Sequence, residues 1–219
     1  MRKIVPILVF IATLSCSKSI SQVSTVKKIS ESAKVNLPYG DKNVLHEFPA
    51  DWSRGDALQD SLYNKMSFFL FQDKDNPARN TIAINYPEAK TFIAKDFIPS
   101  NEIKNGKSKI EIKSAQVFDG KNFKIVSVLY EGKIDCKTCE YPESQTQNVL
   151  LSIKDGKVID KLPVSYLNGS DLGQSARYFY IDSDRIIHLK DFKSDEEGVT
   201  FAEYLKYKIT PDCKFAKLL

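Results

Sequence analysis

Two histidines, His46 and His188, are all this chain offers for acid–base chemistry near neutral pH. It lacks the G-x-S-x-G segment that sets a nucleophilic serine on a strand-to-helix turn, and any glycine-rich loop of the kind that cradles phosphates. Lysines and acids are scattered, so no basic stripe exists to follow a nucleic-acid backbone, which argues against nucleic acid as a partner. No internal repeat recurs, which removes the usual sign of a solenoid or propeller. Cysteine is sparse as well: Cys16, Cys136, Cys139 and Cys213 are too few for a disulfide framework, and a chain of 219 residues can rely on a hydrophobic core instead. The longest apolar run, Ile4 to Leu14, contains Pro6 and Thr13 and falls short of the roughly 20 residues that span a bilayer.

That short run is nevertheless informative. Arg2 and Lys3 precede it as a positively charged start, and small residues close it. This is the plan of an export signal, removed from the mature protein. Thr13-Leu14-Ser15-Cys16 resembles the lipobox of Gram-negative envelope lipoproteins, in which small residues precede a cysteine that becomes N-terminal and acylated. The resemblance covers this segment only. It implies lipidation at Cys16, and Ser17 in the following position implies an outer-membrane anchor. Cleavage by ordinary signal peptidase to a soluble secreted protein is the rival, because Thr13 and Ser15 also suit that rule. Loss of residues 1–15 would remove Arg2 and Lys3 and lower the formal charge from +4 to +2. Residues 16–36, rich in Ser and Lys, read as a flexible or loosely helical tether. Residues 37–219 then form a single β-rich domain, entered at Leu37-Pro38-Tyr39-Gly40.

Within the domain one helix is expected, over Arg54 to Met66, where Leu58, Leu62 and Met66 recur at helical spacing behind a Ser53 cap. Everything after it has strand character. Short apolar runs occupy 68–71 and 81–84. Lys109 to Phe118 alternates, with Ile110, Ile112 and Phe118 expected on one face. Lys124 to Tyr130 is apolar on both faces, the mark of a central strand. Residues 149–153 and 157–162 flank Asp155-Gly156, a strong hairpin signal. Strands at 176–181, 185–192 and 199–209 follow, the last with Val199, Phe201, Leu205, Tyr207 and Ile209 on one face and Glu203 out of pattern. The fold expected is mainly β, an antiparallel meander forming a curved sheet, sandwich or partial barrel. The four strands from Ala176 onward would also suit a propeller blade.

Cys136-Lys137-Thr138-Cys139 is the most suggestive chemical feature. Two thiols at this spacing suit disulfide exchange, because the second can resolve a mixed disulfide formed by the first. A helix should begin there to lower a thiol pKa, yet Pro142 follows closely and Asp135 and Glu140 disfavour a thiolate. A disulfide between Cys136 and Cys139 that staples a loop is the plainer expectation. Zinc held by Cys136, Cys139 and Cys213 with His46 or His188 is another reading of the same residues, but only half of the usual double CxxC pattern is present. Asp73-Lys74-Asp75-Asn76 begins like a calcium loop, then has Ala78 where glycine is required and Ile84 where the bidentate glutamate belongs. Gly169-Ser170-Asp171-Leu172 and Asp195 to Gly198 read as turns, and Ser24-Thr25-Val26-Lys27, an S-x-x-K match, falls in the tether. Asp60-Ser61-Leu62 fits a permissive acceptor triplet for O-glycosylation at Ser61.

Taken together these features imply no catalytic residues, cofactor or metal. They point to an envelope lipoprotein attached to the membrane through its N-terminal lipid, with a β domain that binds an envelope protein, a glycan or a toxin. The alternative from another class is a thiol–disulfide oxidoreductase using Cys136 and Cys139.

Overall fold

Asp155-Gly156 turns the chain as its sequence demands. Both residues have positive φ, 49° and 71°, and Lys154 pairs directly with Lys157 across them. That is the two-residue geometry whose twist matches the flanking strands, and glycine adopts its half without a Cβ penalty. The computed structural model describes residues 24–45, 80–85, 92, 109–134, 143–170, 173–195 and 198–219. The helix expected over 54–66 lies outside these, as does the apolar run at 68–71.

Among the described residues ten strands appear in chain order: β1 (Tyr39–Gly40), β2 (Asn80–Asn85), β3 (Lys109–Asp119), β4 (Lys124–Ile134), β5 (Glu143–Lys154), β6 (Lys157–Ser170), β7 (Gly173–Ile181), β8 (Ile187–Asp195), β9 (Gly198–Ile209) and β10 (Phe215–Leu218). From β2 to β10 each strand pairs antiparallel with its neighbour in sequence, giving one open sheet. The mainly β, antiparallel meander is therefore the fold. Of the forms considered, the described strands leave an open sheet rather than a closed barrel.

The sheet divides at β6. Its ladder with β7 covers only Tyr166–Ser170, so residues 157–165 pair with β5 alone, and β1 takes the place beside β7 at Tyr180 and Ile181. Register shows how the two parts then lie. Tyr130, Gln147, Tyr166, Arg177 and Asp191 are direct partners in succession across β4 to β8, so all five project from one side. Phe179 and Leu189 share that side, two residues along, whereas Ile125 and Leu150 project from the other. Yet Ile125, Leu150, Leu162, Phe179, Ile181, Ile187, Leu189 and Leu205 all belong to one buried cluster. The second part must therefore lie over the opposite side of the first. A sheet that parts between two strands can stack its halves in this way. Side-chain bonds hold the far edge: Ser152 Oγ donates to Cys213 O at 2.6 Å, and Phe215 N donates to Asp160 Oδ2 at 2.8 Å.

Bulges correct two expectations of facing. Gln116 pairs with Val126 and Phe118 with Ile125, leaving Val117 as an extra residue in β3. The bulge moves Phe118 to the side opposite Ile112, so the two are not on one face; Phe118 joins the shared core while Ile112 is buried beneath the other side. In β9, residues 202 and 203 together oppose Asp191, because Lys190 pairs with Tyr204 and Phe192 with Phe201. The register therefore shifts at 202–203, so positions 199 and 201 do not share a face with Leu205, Tyr207 and Ile209, contrary to the alternation expected over 199–209.

The N-terminal stretch is packed from residue 24 onward. Residues 24–30 are helical, and Val26, Ile29 and Val35 are buried. Ser32 and Ser114 share a buried 2.6 Å hydrogen bond, and Val35 N donates to Gln116 O at 2.8 Å. The segment then crosses to the second half, where Tyr39–Gly40 pairs with β7 and Asp41 N donates to Phe179 O. Part of the stretch expected as tether thus ties the two halves together. Gly40 makes the close approach feasible: its φ is 106°, and a Cβ there would sit 2.5 Å from Phe179 O.

Candidate functional site

The outer side of β7–β9 carries Tyr178, Tyr180, His188, Lys190, Tyr204 and Lys206, alternating with the core residues Phe179, Ile181, Ile187, Leu189 and Leu205. His188 is central to it. The turn after β7 is built on Asp182, whose Oδ1 accepts from Ile186 N at 2.9 Å while its carbonyl accepts from Arg185 N, with Arg185 at a φ of 66°. That turn aims Asp182 Oδ2 at His188 Nε2, 2.8 Å away. On the other side of the ring, Nδ1 lies 2.6 Å from Tyr204 Oη. Tyr204 is diagonal to His188 in the ladder, close enough for a long side chain to reach. The carboxylate can only accept, so Nε2 carries a proton, and in the neutral ring Nδ1 accepts from the Tyr204 hydroxyl.

Asp–His–hydroxyl is the order of a nucleophile relay, but the electrostatics oppose that use. Burial pushes the Tyr204 phenol up from its ordinary value, and the nearby Asp182 charge pushes it further. Burial also pulls Asp182 upward, yet the hydrogen bonds from His188 and the Ile186 backbone outweigh it and hold the carboxyl below its ordinary value. A charged acid and a reluctant phenol on one imidazole position the ring; they do not generate a phenolate. Tyr204 remains 42 % exposed, with Lys190 Nζ 5.6 Å and Lys206 Nζ 5.4 Å from its ring centre. What this face offers is a fixed aromatic ring between two cations, a surface for contact.

A second polar group lies where the two halves join. Arg177 binds Asp191 through both prongs, Nε to Oδ1 at 2.5 Å and Nη2 to Oδ2 at 2.7 Å. Its Nη1 donates to Pro163 O at 3.0 Å, beside the point where β6 leaves β7. Asp191 holds the guanidinium above its ordinary value, outweighing the burial that would lower it. Tyr166 lies 5.3 Å beneath the guanidinium, its phenol pushed up chiefly by burial. Next in the cross-strand row come Gln147, 1 % exposed with its Oε1 lacking a partner, and the buried Tyr130. This row secures the junction of the halves through charge-assisted bonds.

Of the residues singled out from sequence, Cys16, His46, Ser61, Cys136 and Cys139 lie outside the described residues, as does the start of the calcium-like segment. Cys213 is described: a free, buried cysteine in the turn between β9 and β10, at a φ of 68°. His188 is the packed strand histidine that its Ile-Ile-His-Leu context implies, with both ring nitrogens already bonded. Among the described residues no group of three or more His, Cys, Asp or Glu side chains is arranged to hold a metal ion, and no helix is long and apolar enough to cross a membrane. Sequence reading missed Asp182 and Tyr204 as partners of His188, and the Tyr130-to-Asp191 row entirely. In the sequence Asp182 stands only in the short polar break between the strands expected at 176–181 and 185–192. The rest depends on register between strands, and the bulge in β9 shifts that register. The chain matches no family model, no curated protein and no solved structure.

Proposed function

We propose that this chain is a non-catalytic lipoprotein of the Gram-negative envelope, anchored in the outer membrane by lipid on Cys16, whose β domain binds an envelope protein, a glycan or a toxin. The observation that carries the reading is the N-terminal segment: Arg2-Lys3, the apolar run 4–14, and Thr13-Leu14-Ser15-Cys16 directly ahead of a folded unit that is already packed by residue 24. The His188 cluster supports a binding role over catalysis, since its geometry fixes an exposed tyrosine instead of activating it. Cys136 and Cys139 form a small ring in this proposal. An oxidoreductase is the outcome it opposes.

Mass spectrometry of membrane-purified protein tests the anchor directly. The expected result is an N-terminus at Cys16 carrying diacylglycerol or three acyl chains, with membrane attachment lost in Cys16→Ala. A wild-type chain recovered soluble, or one beginning elsewhere, would sink the reading. Alkylation under native conditions tests the ring, and no cysteine should label, because Cys213 is 1 % exposed. Turnover of an insulin-type disulfide substrate that disappears with Cys136→Ser would establish the oxidoreductase instead.

A further inference from the structure

Charge is unevenly distributed over the first half. The helical segment 24–30 and the residues after it carry Lys27, Lys28, Glu31 and Lys34. The turn between β3 and β4 adds Asp119, Lys121 and Lys124, and the β5–β6 hairpin tip adds Lys154, Asp155 and Lys157. These three elements are contiguous. Lys124 Nζ donates to Ser30 O at 2.9 Å, Lys34 Nζ lies 3.3 Å from Asp119 Oδ2, and Lys124 pairs with Ile153 at the neck of the hairpin. Seven lysines against three acids give this end a formal charge of +4, while the whole chain after Cys16 sums to +2. The turns of the second half that approach the same end, 182–185 and 210–214, take only one unit from it. Lys27, Lys28, Lys121 and Lys157 are exposed.

We propose that this end of the domain docks on the anionic phospholipid headgroups of the bilayer that holds the Cys16 lipid. The proposal rests on the lipid-anchor reading for the nearness of a bilayer. Eight steps separate Cys16 from Ser24, which at about 3.5 Å each is roughly 28 Å at full stretch, so the basic end is the part of the domain held nearest the surface. Lysines at an anionic surface each contribute about 1 kcal/mol at moderate salt, and the attraction fades within a Debye length. Seven lysines on one short leash meet both conditions. The lipid at Cys16 then supplies attachment and the lysines supply orientation.

Vesicle sedimentation of the full mature chain carrying Cys16→Ala tests the surface without help from the lipid. Binding is expected to phosphatidylcholine vesicles containing phosphatidylglycerol, not to phosphatidylcholine alone, and it should be released by added salt. The triple reversal Lys27→Glu, Lys28→Glu, Lys121→Glu alters exposed side chains only and should weaken binding by at least about tenfold. The pair Lys193→Glu and Lys206→Glu, exposed on β8 and β9, should leave it unchanged, with circular dichroism checking that both variants fold. Equal binding to neutral vesicles, or equal loss with the control pair, overturns the proposal. The anchor reading stands or falls on the N-terminal mass, so the two failures are distinguishable.

Discussion

The first half of the sheet, β2 to β6, and the second, β7 to β10, solve the problem of burial differently. In β4 and β5 both sides are covered: Ile125 and Leu150 face the shared core, while Val126, Val128, Val149 and Leu151 are equally buried on the other side. In β8 and β9 one side is covered throughout and the other only in part, with His188 buried there while Tyr204 and Lys206 are exposed. Ile187, Leu189 and Leu205 point inward, and His188, Lys190, Tyr204 and Lys206 face outward. A strand buried twice must be apolar in succession, and a strand buried once alternates. The lesson concerns where variation is tolerated. The centre of β4 and β5 admits no charge on either side, whereas the exposed part of the outer side of β8 and β9 can carry a surface for recognition at little cost in stability.

A matched pair of substitutions would break the comparison most sharply. Leu151→Asp, on the outward side of the first half, should cost about 4 kcal/mol or more, because it buries an unpaired carboxylate. Lys206→Val, on the outward side of the second, should stay within about 0.5 kcal/mol in the same urea titration. Similar effects from both would mean the halves are not differently covered.

The junction should come next. Arg177 and Asp191 are each only 18 % exposed, so Arg177→Ala leaves a carboxylate and Pro163 O without their donors and should cost about 3 kcal/mol. Replacing both with methionine should cost less than the single change, since apolar packing often substitutes for a buried pair. Gly40→Ala tests the segment that ties the halves on the other side. A positive φ and a clash with Phe179 O make it destabilising by about 2 kcal/mol, and hydrogen exchange should show β1 and residues 33–35 loosened together.

Acid sensitivity should be a smaller effect, confined to the second half. The Asp182 carboxyl is depressed in the folded chain, so the native state binds its proton less readily than the unfolded state does. Its contribution is present above the ordinary value of 3.8 and is lost as pH falls through the lower folded value. Asp182→Asn should therefore lower the urea midpoint at neutral pH by that contribution and flatten part of the acid limb in a plot of urea midpoint against pH. A wild-type acid limb retained in the variant would remove Asp182 from the account. The smallest change is expected at Gln147, where Oε1 is buried without a partner. Gln147→Met should alter stability by no more than about 1 kcal/mol in either direction. A cost above about 2 kcal/mol would show that the amide is held by a bound water or ligand.

Much of the strand order is legible in the residue pattern. Alternation locates most of β3 to β9, the Asp155-Gly156 signal marks a hairpin that forms as expected, and the doubly apolar run at 124–130 is a strand flanked on both sides. The candidate site is far less legible. His188 stands out because histidine is rare here, but Asp182 and Tyr204 carry no such signal. Tyr204 reaches the ring only because β9 has one extra residue opposite Asp191. Arg177 and Asp191 are ordinary charges in the sequence, and only the register puts them side by side.

The order of residues alone dictates strand character, the hairpin at 155–156 and the apolar weight of the first half, because these depend on side-chain period and on local φ, which neighbours along the chain set. Long-range packing settled the remainder. It chose the parting of β6 from β7, the stacking of the halves, and the capture of residues 24–41 as a tie between them. A bulge reverses every facing beyond it, and a stretch such as Val26, Ile29 and Val35 is too sparsely apolar to announce burial until a sheet edge exists to receive it. Such features cost or gain free energy only through partners distant in sequence, so no local pattern encodes them.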